Sequence, residues 1–219
     1  MNIFETFWTY RSYFGTGIQY TLLLAAIGVI CGFILGMLVS MLRMSRLGLL
    51  RFVGTVWVEF LRGTPMIVQL FIIHYGLVSF GIKLTPIESG AITLSINSSA
   101  YLAEIFRAGI QGVDRGQAEA ARSLGMGKAM TMRHIILPQA VKSVLPAIGN
   151  EFITIIKESS IVSFIGVTDL MYQAQAVTTI TYESLKPLLI IAAIYFVMTF
   201  TLSKLLGLFE RRLNTDDHR

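Results

Sequence analysis

Lys157, Glu158, Ser159 and Ser160 stand in a row at the end of an apolar stretch, and together they offer both signs of charge and two hydroxyls. That set suits a zwitterion, with one group for a carboxylate and one for an ammonium. Asn150, Thr154 and Glu158 are spaced i, i+4, i+8, so an amide, a hydroxyl and a carboxylate fall along nearly one face of a helix. Asn97, Tyr101 and Glu104 repeat the arrangement at i, i+4, i+7, with Ser98 and Ser99 beside them. Polar side chains on apolar helices line an interior path or hydrogen-bond to neighbouring helices; both readings stand, and the Lys157–Glu158 pair also reads as a local ion pair. On an ideal helix Lys157 points about 100° away from Glu158. No Ser–His–Asp set, paired metal-ligand histidines or cofactor motif accompanies these residues. The chemistry they suit is recognition and passage rather than bond making.

A third group is Glu59, Arg62, Gly63, Thr64, Pro65 and Gln69. Pro65 removes a backbone donor and crowds the carbonyl of Leu61, so Gly63, Thr64 and Pro65 predict a helix break. Such a break either frees carbonyls beside a cavity or is a structural kink next to a Glu59–Arg62 pair at i, i+3. His74 is alone in an apolar helix and reads as packed or hydrogen-bonded.

The elements that must position these groups are membrane helices. The chain of 219 residues is 54% hydrophobic and 14% charged, with a mean hydropathy of +0.66, against about 25% charged residues in soluble proteins. About 20 apolar residues cross a hydrocarbon core, and five stretches qualify: 17–42, 52–80, 86–110, 140–161 and 187–208. The expectation is an all-α polytopic membrane protein of one transmembrane domain. Gly28, Gly32 and Gly36 make a smooth face for close helix packing in the first span. Cys31, the one cysteine, lies in that apolar run, so no disulfide framework exists. The first 17 residues lack a basic region and cleavage site, which argues against a cleaved signal peptide.

Thirteen of the 18 Lys and Arg lie in the first loop, around the segment 112–138 and in or after the last turn of the last span. Basic residues stay on the cytoplasmic side, so the N-terminus is expected outside and the C-terminus inside. The net charge of +5 is thus a topology signal, and nucleic acid is not an expected partner. Residues 163–186 are too polar to face lipid and read as an external cap with a short helix at 169–177, or as a plain connector.

Residues 119–138 read E-A-A-R-S-L-G-M-G-K-A-M-T-M-R-H-I-I-L-P. Two small residues and an acid open a short helix, Gly125 and Gly127 break it, and a second polar segment leads to a proline, which predicts a cytoplasmic helix-turn-helix. Glu119, Ala120, Ala121, Gly125, Ile135, Leu137 and Pro138 match the EAA loop of ABC-importer permeases at every position. F-L-R-G-T-P at 60–65, A-Y-L-A-E-I-F-R-A-G-I at 100–110, R-G-Q-A-E-A-A at 115–121 and K-E-S-S at 157–160 resemble the polar amino-acid permeases of these importers, the histidine/glutamine/arginine type, over about residues 17–212.

The resemblance implies a five-helix permease of the bacterial inner membrane. It pairs with a second permease subunit, the same or homologous, docks two ATP-binding cassette subunits, and takes its amino acid from an extracytoplasmic binding protein. ATPase docking is implied at Glu119, Ala120, Ala121, Leu124, Gly125, Met126, Ile135, Leu137 and Pro138. The candidate substrate path is Asn97, Ser98, Ser99, Glu104, Asn150, Thr154, Lys157, Glu158 and Ser159. The chain has no G-x-x-x-x-G-K-[ST] loop, so ATP and Mg belong to the partner ATPase, and the chain itself is expected to be non-catalytic, with no bound cofactor or metal. An ion-gradient-driven carrier of small polar solutes is the rival reading. It leaves the match at 119–138 unexplained.

Overall fold

The structure is a computed structural model and describes residues 2–215. Arg219, counted in the charge asymmetry, lies outside the described residues. All elements found among the described residues are helical. α1 (Ile3–Thr9) starts in a capping box between Asn2 and Glu5, and α2 (Arg11–Arg43) follows after Tyr10. At 33 residues α2 is about 50 Å long, more than enough to cross a bilayer.

The glycine face of α2 packs along α5 (Pro86–Gln111). A Cβ at Gly32 would stand 2.8 Å from the Ser98 Cβ, and one at Gly36 2.9 Å from the Leu102 Cβ. Lipid tails are as apolar as leucine, so burial gives helices little reason to associate within a membrane; close van der Waals contact does. The same surface continues into the main core, where Leu24, Leu70, Leu94, Ile155, Ile156 and Val162 are inaccessible to solvent.

The second expected span is not one straight helix. α3 (Gly48–Gly63) and α4 (Met66–Phe71) meet at an angle of 107° across Thr64 and Pro65. α4 then loosens into a π turn at Ile72–Gly76 and a 3-10 turn at Leu77–Phe80. His74 Nδ1 sits 2.8 Å from Ser89 Oγ, as its packed reading anticipated. α5 starts at a Thr85–Glu88 capping box with Pro86 in its first turn.

The loop after α5 is a helix-turn-helix, as expected. α6 (Arg115–Ser123) starts at Asp114, whose Oδ1 accepts from Gly116 N–H at 2.7 Å. It ends when Met126 N–H donates to Ala121 O and Gly125 N–H to Arg122 O. These two bonds form a Schellman turn, with Gly125 at φ 84°. The second helix does not stop at Pro138. α7 (Lys128–Thr131) passes through a π turn at Met132–Ile136 directly into α8 (Leu137–Glu158). Pro138 therefore lies within a helical run that continues through the π turn, and the loop does not close there.

After α8 the chain forms a 3-10 segment, Ser159–Ile165, turns at Gly166 with φ 86°, and enters α9 (Leu170–Thr181) and α10 (Leu185–Thr215). The short helix expected at 169–177 is therefore present and slightly longer. α9 packs on the first half of α2, while Arg43 at the other end of α2 reaches the last turns of α5. The cap and the α6 loop thus occupy opposite ends of the molecule.

Among the described residues α2 and α10 are each long and apolar enough to cross a membrane, and the bent α3–α4 pair makes a third span if counted as one. α5 has 26 residues and α8 has 22, ample length for a crossing, but their polar residues keep them out of that apolar class. Only 11% of the apolar window of α10 is buried against 39% for α2, so α10 forms the lipid-facing flank and α2 the central mast. Cys31 is exposed on α2.

Candidate functional site

The break between α3 and α4 leaves carbonyls without helical donors, and one buried side chain satisfies them. Gln69 Nε2 donates to Leu61 O at 2.8 Å, to Thr64 O at 3.2 Å and to Thr64 Oγ1 at 2.9 Å. Gln69 Oε1 accepts in turn from Asn97 Nδ2 at 3.0 Å. Both side chains are buried. A buried polar network is stable only when each member is satisfied, and this one fixes the bend to the middle of α5. The sequence grouped Gln69 with the break; that it caps the free carbonyls is visible only in three dimensions.

Beside this bend lies a cavity of about 500 Å³, lined by Thr64, Pro65, Met66, Asn97, Tyr101, Glu158, Ser160, Ile161, Phe164 and Met171. Its polar groups come from three separate stretches of chain: the helix break, α5 and the end of α8. Arg62 is exposed and holds its guanidinium over the Tyr101 ring, 5.4 Å from the centroid. No Glu59–Arg62 ion pair forms; the cation–π contact takes its place. Glu158 brings a carboxylate to a wall otherwise made of apolar and neutral polar groups.

The sequence-predicted path residues divide into three sets. Asn97 and Glu158 line the cavity, together with Gly63's neighbours Thr64 and Pro65. Lys157 is exposed on the adjoining surface, Asn150 is exposed and Thr154 half-buried further back along α8. Ser98, Ser99, Ser159 and Glu104 serve packing instead. Ser98 is buried against Gly32. Ser99 Oγ accepts from Trp57 Nε1 at 3.0 Å and donates to Ile96 O. Ser159 Oγ donates to Ile156 O. Glu104 bonds both Arg43 and Arg107, and so ties the C-terminal end of α2 to the helix that leads into the loop. The i, i+7 step from Asn97 to Glu104 spans about 10 Å along a helix axis, enough to carry it from the cavity to the end of the bundle. Ser160 belongs to the cluster singled out in the sequence, whereas Ile161, Phe164 and Met171 were not anticipated as cavity walls, because no periodicity links a 3-10 segment to the start of a later helix.

The residues of the loop expected to dock the ATPase also come together. Ala121 is buried and Ala118 half-buried, where α6 rests on the π turn at Met132–Ile136. Glu119, Ala120 and Gly125 face outward, and Leu124 is 83% exposed at the tip. Met126 and Ile135 are half-buried, while Leu137 and Pro138 are exposed. A second, larger cavity of about 920 Å³ lies between this loop and α8, with Asp114, Gln117, Lys142 and Glu210 among its walls. It contains none of the path residues. No group of three His, Cys, Asp or Glu that could hold a metal ion occurs among the described residues.

Residues 28–215 match the family described as binding-protein-dependent transport system inner membrane component. The chain is 39% identical over 213 residues to the probable glutamine ABC transporter permease protein GlnM of Bacillus subtilis, covering 97% of this chain and 98% of that one. It is 38% identical over 202 residues to the arginine transport system permease protein ArtQ of the same organism, covering 92% of each. Among solved structures, a chain of an amino acid ABC transporter crystallised with histidines superposes with a TM-score of 0.94 at 50% identity, covering 97% of this chain and 99% of that one. The methionine ABC transporter MetNI, in an inward-facing form, shares the fold at 19% identity and a TM-score of 0.75, covering 90% and 94%.

Proposed function

Because this chain belongs to the binding-protein-dependent transport system inner membrane components, we infer that it carries a polar amino acid across the inner membrane as the membrane-spanning subunit of an ABC importer. Family membership supports this reading over an ion-gradient-driven carrier. The chemistry is passage; hydrolysis belongs to an ATPase partner with its own ATP and Mg. The observation that carries the choice of substrate class is the cavity at the helix break, where Glu158 and Asn97 converge. A carboxylate there favours the ammonium group of an amino acid, and Asn97 together with the polar Thr64 provides neutral hydrogen bonding. The relatives whose names mention glutamine or arginine fit a cargo of this kind.

Glu158, Lys157 and Asn150 are exposed on a bundle that also exposes many large apolar side chains. Charged groups open to lipid are costly, which favours a second permease subunit over this face. Two ATPase subunits would then dock on the paired loops, and an extracytoplasmic binding protein would deliver the amino acid at the α9 end. Movement of the loops turns the helices as rigid bodies and opens the path alternately to each side.

The Schellman turn gives a test of docking. Gly125→Asp puts a charge at the tip, in open space with nothing within 4 Å of the added Cβ. Aspartate is among the residues that tolerate a left-handed backbone, so the permease should fold and insert. Reconstituted with its ATPase and binding protein, the variant should lose most substrate-stimulated ATPase activity and uptake. Normal uptake in the variant would remove Gly125 from the coupling element. In wild type, a screen of amino acids for that stimulation should return a polar one, and stimulation by none would sink the substrate assignment.

The orientation follows from the basic residues of the loop and of the inner helix ends. Single cysteines near Asn2 and at Asp217, the latter outside the described residues, report it with an impermeant thiol reagent in intact cells. The reagent should label the first and spare the second; labelling of the second alone would reverse the topology.

A further inference from the structure

Residues 159–171 form the roof of the cavity, with Phe164 and Met171 on its inner surface. The roof turns at Gly166 in a left-handed conformation and is fastened at its far end by Asp169. This residue is inaccessible to solvent and caps α9, its Oδ1 accepting from Tyr172 N–H at 3.0 Å. Below it α2 comes close enough that a Cβ on Gly17 would lie 2.8 Å from the Leu170 Cα. Leu170 N–H donates to Thr21 Oγ1 at 3.3 Å. Yet Asp169 Oδ2 has no hydrogen-bond partner, and neither has the buried hydroxyl of Tyr195 on α10. Tyr195 packs against the buried cluster that contains Leu170, the next residue in the chain after Asp169, and Thr21 lies under the same turn. Burial pushes the Asp169 carboxyl up to about 6, against the pull of the α9 amides.

An acceptor and a donor, neighbours in a dry interior and both unsatisfied, cost free energy that a single bond between them would recover. Packed interiors change between discrete arrangements rather than by continuous deformation. We propose that Asp169 and Tyr195 are the latch of the cavity roof: Tyr195 O–H donates to Asp169 Oδ2 when the roof closes over substrate, and the bond is open in the state seen here. Asp169 is a positioning residue in this scheme, because it caps α9 behind the roof and does not line the cavity. The proposal rests on the cavity being the substrate path.

The test uses the permease assembled with its ATPase and binding protein in proteoliposomes. Asp169→Asn keeps a capping side chain and removes the charge, and Tyr195→Phe removes only a hydroxyl. Each should lower uptake at least tenfold, and the double variant should be no worse than the more impaired single one, as expected for residues acting through one bond. Asp169→Asn should also melt at a higher temperature than wild type at pH 8. α2 presents Gly17 and Thr21 to Asp169, which do not titrate, and α10 presents Tyr195. A carboxyl whose folded pKa is raised from 3.8 to about 6 is destabilising once ionised, so the gain should fade as pH falls below about 6 and vanish near 4.

A protein held together by Asp169 would lose stability and uptake together, and that result overturns the latch. So does normal uptake in both single variants, or losses that simply add. If Asp169→Asn does not fold, Tyr195→Phe decides alone, and normal uptake in it overturns the proposal. Glu158→Gln separates the two readings. Impaired uptake there with normal uptake in the roof variants defeats the latch only; normal uptake there defeats the path on which the latch rests.

Discussion

Glu158→Gln is expected to reduce amino-acid uptake between tenfold and a hundredfold while leaving the ATPase bound. The carboxylate stands on the cavity wall, and a hydrogen bond to a charged group contributes about 1.5–3 kcal/mol, with about 1.4 kcal/mol per tenfold. Glutamine keeps the shape and a carbonyl acceptor but loses the charge that an ammonium meets. Lys157→Met is the control. Lys157 is exposed beside the cavity and is not among its walls, so its removal should change uptake less than threefold. Initial rates measured across substrate concentrations, with co-purification of the ATPase, separate substrate recognition from docking. Unchanged affinity and rate in the glutamine variant would leave Glu158 a structural charge.

Gly32→Leu should abolish the stably folded permease. The first added carbon would already stand 2.8 Å from the Ser98 Cβ and 2.9 Å from its Oγ, and the rest of the side chain has to force α2 and α5 apart. Overpacking a tight core costs about 1–3 kcal/mol or more. Here the contact runs along the mast of the molecule, so the cost should lie at or above the top of that range. Gly15→Leu, on the same helix with nothing within 4 Å of its added Cβ, should remain close to wild type. Melting in detergent and recovery of the assembled complex report both. Equal stability of the two variants would mean that the α2–α5 contact does not hold the bundle together.

These two results depend on different levels of the sequence. The glycine face is legible because its cause is local: three small residues four apart fall on one side of any helix, and a smooth side has to find a neighbour. The same holds for the turn at Gly125, where a left-handed residue is required to close α6, and for the α9 helix with Asp169 at its start. The break at Gly63–Pro65 is readable too, since proline acts on its own carbonyl environment. The match at 119–138 is a fixed spacing on one continuous segment, and family membership bears it out.

Tertiary structure decided what those pieces face. Asn97, Ser98 and Ser99 are consecutive, yet one holds the bend through Gln69, one lies under Gly32 and one meets Trp57. A helix turns about 100° per residue, so neighbours in sequence look toward different partners, and sequence does not name the partners. Glu104 shares a face with Asn97 but is drawn away by Arg43, 61 residues earlier. The cavity joins the break, α5 and the roof, and the far end of the roof at Asp169 and Leu170 packs on Gly17 from the start of the chain. By itself the sequence determined an all-helical membrane chain, the helix-turn-helix at 115–131 and the positions where helices bend or approach, because each follows from local backbone sterics and periodicity. Which polar groups meet across the bundle was decided by helix packing, because those contacts come from distant segments whose relative rotation no local rule sets.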